Sequence, residues 1–233
     1  MSNEMTVSIA HKIQVIKQEI PEEVKLIAIT KQVNVESMRS AYEVGVRDFG
    51  ENRLQEALAK QEQLDLTDIN WHFIGHIQKN KAKKVIENFD WIHSLDSLSL
   101  AKRLDRLAGE LNKIPKVLLQ VKMLPDPNKY GWQVEELWQD LAQLDRCHRL
   151  DIQGLMTILP LGLSSTEALA AFQEAHKLAR AIAQKKYSHL KMEQLSMGMS
   201  GDYQMAIAAG ATMIRLGRTI FGERKNSTVS NEQ

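Results

Sequence analysis

Lys31 follows directly on the run Val24–Thr30, "VKLIAIT", which is apolar and β-branched and reads as a buried strand. Its amine therefore stands where a strand opens onto a loop. A lysine in that place is either an ordinary solvated side chain or a nucleophile held at the mouth of a site. Two other stretches bear on the choice. "SMGMSGD" (Ser196–Asp202) precedes a helical pattern and offers Gly198 and Gly201 for tight backbone, with Ser196 and Ser200 as hydroxyl donors. "RLGRT" adds Arg215, Gly217 and Arg218. Each stretch is common as a plain turn before a helix, but together they outline a cup for a phosphate. An amine and a phosphate cup in one site point to a phosphorylated carbonyl compound held as a Schiff base, either a sugar phosphate or pyridoxal 5′-phosphate (PLP). Arg215 favours PLP, because Asp or Arg are the recognised partners of its pyridine nitrogen, and an arginine leaves the ring a poor electron sink. The alternative for Arg215 is an ion pair with a carboxylate at the rim, and the residue types leave both open.

These groups share a site only if the fold brings them to one place. Short β-branched or aromatic runs alternate with amphipathic segments along the chain. The expected strands are Val24–Thr30, Val46–Phe49, Trp71–Ile74, Trp91–His93, Lys116–Val121, Asp151–Met156, Met192–Leu195 and Met213–Leu216. Helices are expected between them, with Ser97 and the Ser164–Glu167 stretch as start signals. Eight strand–helix units in 233 residues imply an α/β fold, a single (β/α)8 barrel, which needs about 250 residues. No Gly-rich turn follows the first strand, which argues against an open doubly wound sheet. No eighth helix is expected after Leu216, and an N-terminal helix over about residues 4–19 is expected to cover that gap. One domain spans residues 1–225, and residues 226–233 read as a polar, disordered tail. Active sites of such barrels lie at the C-terminal ends of the strands, with phosphate held after strands seven and eight. This puts Lys31, Asn52, Lys122, Thr157, Ser196 and Arg215 at one rim, the phosphate loops on adjacent strands opposite the Lys31 strand.

Composition narrows the partners. A net charge of +1 offers no general attraction for nucleic acid or acidic membranes. The basic run Lys79–Lys84 reads as a solvated helix face. No stretch approaches the roughly 20 apolar residues of a membrane span and no secretory signal is visible, so the expected location is cytoplasmic. Cys147 is the single cysteine, a poor candidate for a nucleophile, and no metal site is expected because His76, His93 and His148 lack ligand spacing. Those histidines are expected to be hydrogen-bonded structural residues.

The stretches "LIAITK", "FGENRLQEA", "WHFIGHIQKNK", "LSMGMSGDYQMAIAAGATMIRLG" and "TIFGER" occur in order between Leu26 and Arg224. Carrying them, the sequence resembles the pyridoxal phosphate homeostasis protein family, whose barrel is related to the N-terminal domain of alanine racemases. "PDPNKYGW" after the fifth strand resembles the cyanobacterial branch. The resemblance implies PLP as an internal aldimine on Lys31, with Arg215 facing the pyridine nitrogen. It also implies phosphate against Ser200, Gly217 and the backbone of Arg218, with Ser196 and Asn52 nearby. It further implies a role in PLP supply and in amino and keto acid balance without established catalysis, and dealings with PLP-dependent apoenzymes or regulatory proteins. Three positions depart from the commonest pattern: Thr30 stands where many relatives have Ser, Lys122 where many have Asn, and Arg218 where many have Thr. Lys122 would bring a second amine near the cofactor.

The leading expectation is a non-catalytic, monomeric PLP carrier, and the rival is a racemase-like PLP enzyme. A racemase needs a second base, typically a tyrosine from another domain, and Tyr130 is the obvious substitute here, though its setting beside Gly131 and Trp132 reads as a surface loop. An aldolase-type enzyme acting on a sugar phosphate through Lys31 is a third reading.

Overall fold

The computed structural model describes residues 2–223, with side chains from Ile9 onward. A helix α1 (Ser2–Glu19) leads into β1 (Lys25–Ile29), α2 (Val35–Glu43), β2 (Asp48–Glu51), α3 (Leu54–Leu64), β3 (Asn70–Phe73), α4 (Ala82–Asn88) and β4 (Trp91–Leu95). There follow α5 (Leu98–Glu110), β5 (Lys116–Gln120), α6 (Val134–Leu144), β6 (Asp151–Met156), α7 (Ser165–Ala183), β7 (Leu190–Ser196), α8 (Tyr203–Ala208), β8 (Met213–Leu216) and α9 (Arg218–Phe221). The eight strands form a closed parallel barrel in chain order, β8 pairing back onto β1 through Ile27 opposite Arg215 and Ala28 opposite Leu216. The expected tail, residues 226–233, lies outside the described residues.

Strand alternation divides the apolar residues between two cores. Ile27, Ile29, Trp91, Leu118, Met156 and Met213 fill the barrel interior, while the alternate faces of the strands meet the helices in the larger outer core. Interior space is rationed. Gly50 of β2 sits opposite Ile29, and a Cβ there would come within 2.5 Å of the Ile29 Cδ1. The inward polar positions, among them His72, His93, Ser196 and Arg215, are buried at the same depth as the apolar ones.

All eight expected strands are present, displaced by up to two residues at their ends. β2 shows the largest shift, because pairing continues from Asp48 opposite Asn70 to Glu51 opposite Phe73, through polar residues that a hydrophobic pattern leaves out. Capping is mixed. Ser164 accepts from the Glu167 N–H and the Glu167 carboxylate accepts from the Ser164 N–H, a complete capping box. Ser97 stands at the N-cap of α5 without a cap bond, its hydroxyl donating to Asp96 instead. Asn34, unread as a start signal, caps α2 by accepting from the Ser37 N–H. The chain after β8 is helical where none was expected, for the single turn α9. The N-terminal helix does cover the gap: α1 packs on α2 and α9, and Tyr203 of α8 donates to Glu19 at its end.

Candidate functional site

The segment carrying Lys31 is braced from beneath. The Thr30 hydroxyl donates to Glu51 Oε1 at 2.6 Å, and the Lys60 ammonium, reaching in from α3, donates to the Thr30 carbonyl at 2.6 Å. Lys60 also bonds Glu51 at 2.7 Å and Glu56 at 2.6 Å. On the far side of Lys31, the Gln32 N–H donates to Glu56, and Gln32 is held at φ +60°, a left-handed conformation that a branched or bulky residue rarely keeps unless its surroundings dictate it. Lys31 is thus pinned at both flanking residues. Burial raises the Glu51 carboxyl above the usual range against the pull of Lys60 and Thr30. For Glu56 burial acts the same way, but the Lys60 ammonium and the Gln32 N–H outweigh it and the net is a lowering.

The Gly217 loop lies beside β1, and the Gly198 loop one strand further on, rather than opposite it as the sequence pattern implies, because ring closure makes β8 the neighbour of β1. Gly217 packs against the Ile29 carbonyl, 3.4 Å from where a Cβ would stand. The preceding loop folds tightly: Gly198 has φ +90°, and a Cβ there would meet the Ala206 Cβ at 2.6 Å and the Tyr203 Cα at 2.9 Å. Gly201, expected to serve tight backbone, has open space around it. The Ser200 hydroxyl accepts from the Thr219 N–H at 3.4 Å, tying the two loops together. Residue 31 and the Ser200–Gly217 turn therefore share one rim. Gly217 and Arg218 border a hollow of about 170 Å³ that reaches back to Ile29, Gln32 and Asn34, and Lys31 borders one of about 120 Å³ with Asn52, Arg53 and Glu56.

Arg215 lies at the floor, 3% exposed. Its Nη1 donates to Ser196 Oγ at 2.7 Å and its Nη2 to the Thr157 carbonyl at 2.9 Å. Neither partner is a carboxylate, so the ion-pair alternative does not describe this residue. Burial lowers its guanidinium to about 10, still cationic at neutral pH. Ser196 is wholly buried and its hydroxyl is committed between Arg215 and His93 Nδ1, 2.8 Å away. It belongs to the floor beneath the cup, engaged by both of these partners.

Beyond His93 the polar contacts continue. His93 Nε2 meets His72 Nδ1 at 2.8 Å, and His72 Nε2 meets Asp48 Oδ1 at 2.9 Å. Burial depresses His72, against the pull of Asp48, and burial with the neighbouring His72 and Arg215 depresses His93 well below its ordinary value. Burial opposes ionisation of Asp48 too, but the His72 hydrogen bond and the Lys25 ammonium outweigh it, and its carboxyl lies below the usual range.

Other expected residues fall around the mouth. Asn52 follows β2, and its amide oxygen is buried without a hydrogen-bond partner among the described residues, as are Glu51 Oε2 and Thr157 Oγ1. Three orphaned polar atoms at the mouth ends of β2 and β6 fit a ligand that carries polar groups. Lys122 emerges after β5, four strands around the ring from β1. Tyr130 is 55% exposed and stacks on His76, ring centroids 3.8 Å apart, while His76 pairs with Asp96 at 3.0 Å. His148 packs edge-on against His189. Burial pushes the Cys147 thiol up to about 11, away from nucleophile duty. Among the described residues no group of His, Cys, Asp and Glu could hold a metal ion, and no helix is long and apolar enough to cross a membrane. Lys60, Glu56 and His72 went unread from sequence.

A profile of the alanine racemase N-terminal domain matches residues 6–225. The pyridoxal phosphate homeostasis protein of Synechocystis sp. is 57% identical over 206 residues, 88% of this chain and 94% of that one. The chain belongs to the pyridoxal phosphate homeostasis protein family. The Escherichia coli K12 homeostasis protein is 39% identical, covering 89% of this chain and 88% of that one. PipY of Synechococcus elongatus has been solved without PLP and with PLP bound. The PLP-bound structure superposes at TM-score 0.88 with 48% identity, covering 92% of this chain and all of that one. Alanine racemase of Clostridium difficile, 14% identical at TM-score 0.73, shares the barrel over 94% of this chain and 58% of its own length, a likeness of fold alone.

Proposed function

We propose that this homeostasis-family barrel binds PLP in its mouth and holds it for intracellular supply, without turning it over. The observation that carries this is the sharing of one rim by a braced amine, a glycine–serine anion loop and a buried arginine whose hydrogen-bond partners are a hydroxyl and a backbone carbonyl. The PLP-bound PipY structure supports the choice of ligand. In this reading Ser200, Gly217 and the backbone of Arg218 take the phosphate, and Arg215 faces the pyridine nitrogen. Asn52 lies beside the ring, and Ser196 contributes by fixing Arg215. Bound there, PLP supplies an aldehyde that condenses with a primary amine, releasing one water, and Lys31 is that amine. Arg215, donor-only, cannot protonate the pyridine nitrogen as a carboxylic acid would, so the site suits retention better than carbanion chemistry. Tyr130 is exposed and spent on His76, a poor position for a second base.

Titrating the purified chain with PLP tests the reading. It should turn yellow, and borohydride should abolish the visible band and leave the cofactor mass on the Lys31 peptide. Lys31→Ala should lose the band yet retain phosphate-anchored PLP. An unchanged band in that variant would move the attachment to Lys122 or another amine. Incubating the loaded protein with L-alanine in deuterium oxide separates carrier from racemase: Cα exchange at enzyme-like rates would overturn the carrier reading.

A further inference from the structure

The contacts from Arg215 to Asp48 form one unbroken chain across the barrel interior: Nη1 to Ser196 Oγ, Oγ to His93 Nδ1, His93 Nε2 to His72 Nδ1, and His72 Nε2 to Asp48 Oδ1, at 2.7, 2.8, 2.8 and 2.9 Å. Its two ends, with the neutrality that full burial favours for His72 and His93, set its direction. A guanidinium only donates, and an ionised carboxylate only accepts. With both rings neutral, each group between them accepts on the Arg215 side and donates on the Asp48 side. Ser196 accepts from Arg215 and gives its hydrogen to His93 Nδ1. His93 gives Nε2–H to His72 Nδ1, and His72 gives Nε2–H to Asp48. Both imidazoles are then Nε2–H tautomers. A proton added to either ring turns His93 Nδ1 into a donor, so that Ser196 Oγ accepts from both sides and its own hydrogen loses its partner.

The surroundings oppose such a proton as well. His72 is flanked by Lys25 of β1, by Asp48 of β2, by Asp90 just before β4, and by Trp91, on which it stacks at 5.7 Å; His93 feels Lys25, His72 and the Arg215 cation. Among the described residues, the carboxylates of Asp48 and Asp90 act on His72, and none acts on His93 directly.

From this geometry we propose that His93, backed by His72 and Asp48, is a positioning residue for Arg215: it takes the Ser196 hydrogen and so turns the hydroxyl oxygen toward Arg215 as an acceptor, and the guanidinium is anchored at two points. The anchors are Ser196 Oγ and the Thr157 carbonyl, and each leaves its Nη one further N–H. The inference rests on the reading that Arg215 faces the cofactor, but the state of the chain is a property of the protein alone. Without His93, the Ser196 hydroxyl is free to rotate and Arg215 loses a fixed partner in a site where nothing else replaces it.

The experiment has two arms. Nitrogen NMR of ¹⁵N-histidine-labelled apoprotein should find His72 and His93 as Nε2–H tautomers that do not titrate near the ordinary value of about 6.5. An Nδ1–H tautomer, or titration near that value, overturns the chain. PLP affinity is then measured for the wild type, His93→Leu and His93→Asn, whose amide oxygen can take the place of Nδ1. Loss of one buried acceptor contact predicts roughly tenfold weaker retention in the Leu variant and recovery of most of it in the Asn variant. Equal affinity in all three overturns the positioning role even if the tautomers are as stated. Should His93→Leu fail to fold, Ser196→Ala removes the acceptor that His93 orients for Arg215, without touching either ring, and must give at least that loss. If the wild type itself takes up no PLP, it is the proposed function that fails, while the NMR arm still decides the chain.

Discussion

Two buried polar assemblies flank the mouth of this barrel and solve the cost of burial in opposite ways. Beneath Lys31, Glu51, Glu56 and Lys60 gather three ionisable groups around the Thr30 carbonyl and hydroxyl. Beneath Arg215, the charges stand at the two ends and the middle is neutral. Buried ions demand close partners, because an unpaired one costs several kcal/mol, whereas a neutral hydrogen-bonded run needs only that every donor find an acceptor. The first assembly clamps a segment of backbone, and the second orients a side chain. Their responses to mutation and pH should differ accordingly.

The largest expected effect is in the charged cluster. Lys60→Met leaves Glu51 and Glu56 without their shared cation and should cost about 3–5 kcal/mol at neutral pH in urea unfolding. Glu51 is already raised by burial, and without Lys60 it rises further, so the loss should shrink as pH falls and the acid takes up a proton. A loss independent of pH would mean that packing of the lysine stem, not its charge, is what matters. The neutral chain predicts the opposite slope. His72 and His93 are depressed when folded, so below about pH 6.5 the unfolded chain binds more protons than the native one, and stability falls as pH falls. The slope should reach up to about 1.4 kcal/mol per pH unit for each histidine, and His93→Asn should remove one share of it.

The barrel and its chemical rim were legible because both write themselves into residue type and spacing. Runs such as "VKLIAIT" and "KVLLQV" announce strands, and strand ends announce where Lys31, Asn52 and Arg215 must gather. What remained hidden depends on which face of an element meets which neighbour. Lys60 reads as one more helix lysine, and its burial follows from α3 lying over the end of β1. A faint signal existed in Glu56 and Lys60 at i, i+4 on the face that also buries Ala57 and Leu64. His72 and His93 sit inside strands at inward positions, where a polar residue calls for a partner, yet which partner depends on register across strands. Ser196 was assigned to the phosphate because it borders the glycine loop, but strand alternation turns it inward beneath that loop. The contact between the Gly217 loop and β1 follows from ring closure, which local pattern cannot express.

A smaller effect sharpens the contrast from within the charged cluster. Glu51→Gln keeps an oxygen to accept from Thr30 and Lys60 and removes a carboxylate that burial disfavours, so the two changes offset and stability at neutral pH should stay within about 1 kcal/mol of wild type. Because the folded carboxyl is raised, it detracts from stability as pH climbs from its unfolded to its folded value, and that decline should vanish in the variant when urea midpoints are followed over the acidic range.

The smallest effect is expected at the far end of the neutral chain. Lys25 pairs with Asp48 Oδ1 at 3.2 Å, but its side chain is 36% exposed and the same oxygen accepts from His72. An ion pair in that setting contributes less than about 1 kcal/mol, so Lys25→Met should barely move the urea midpoint. The informative measurement is the state of the histidines in that variant. The chain's direction requires that Asp48 remain ionised and both rings neutral, and the His72 hydrogen bond is among the forces that keep Asp48 so. The two rings should accordingly keep their Nε2–H tautomers without Lys25. If removing that ammonium instead flips or protonates His72, the polarity of the chain is imposed by the rim cation and not by its own two ends, and the distinction between a charge-balanced clamp and a self-directed neutral chain no longer holds.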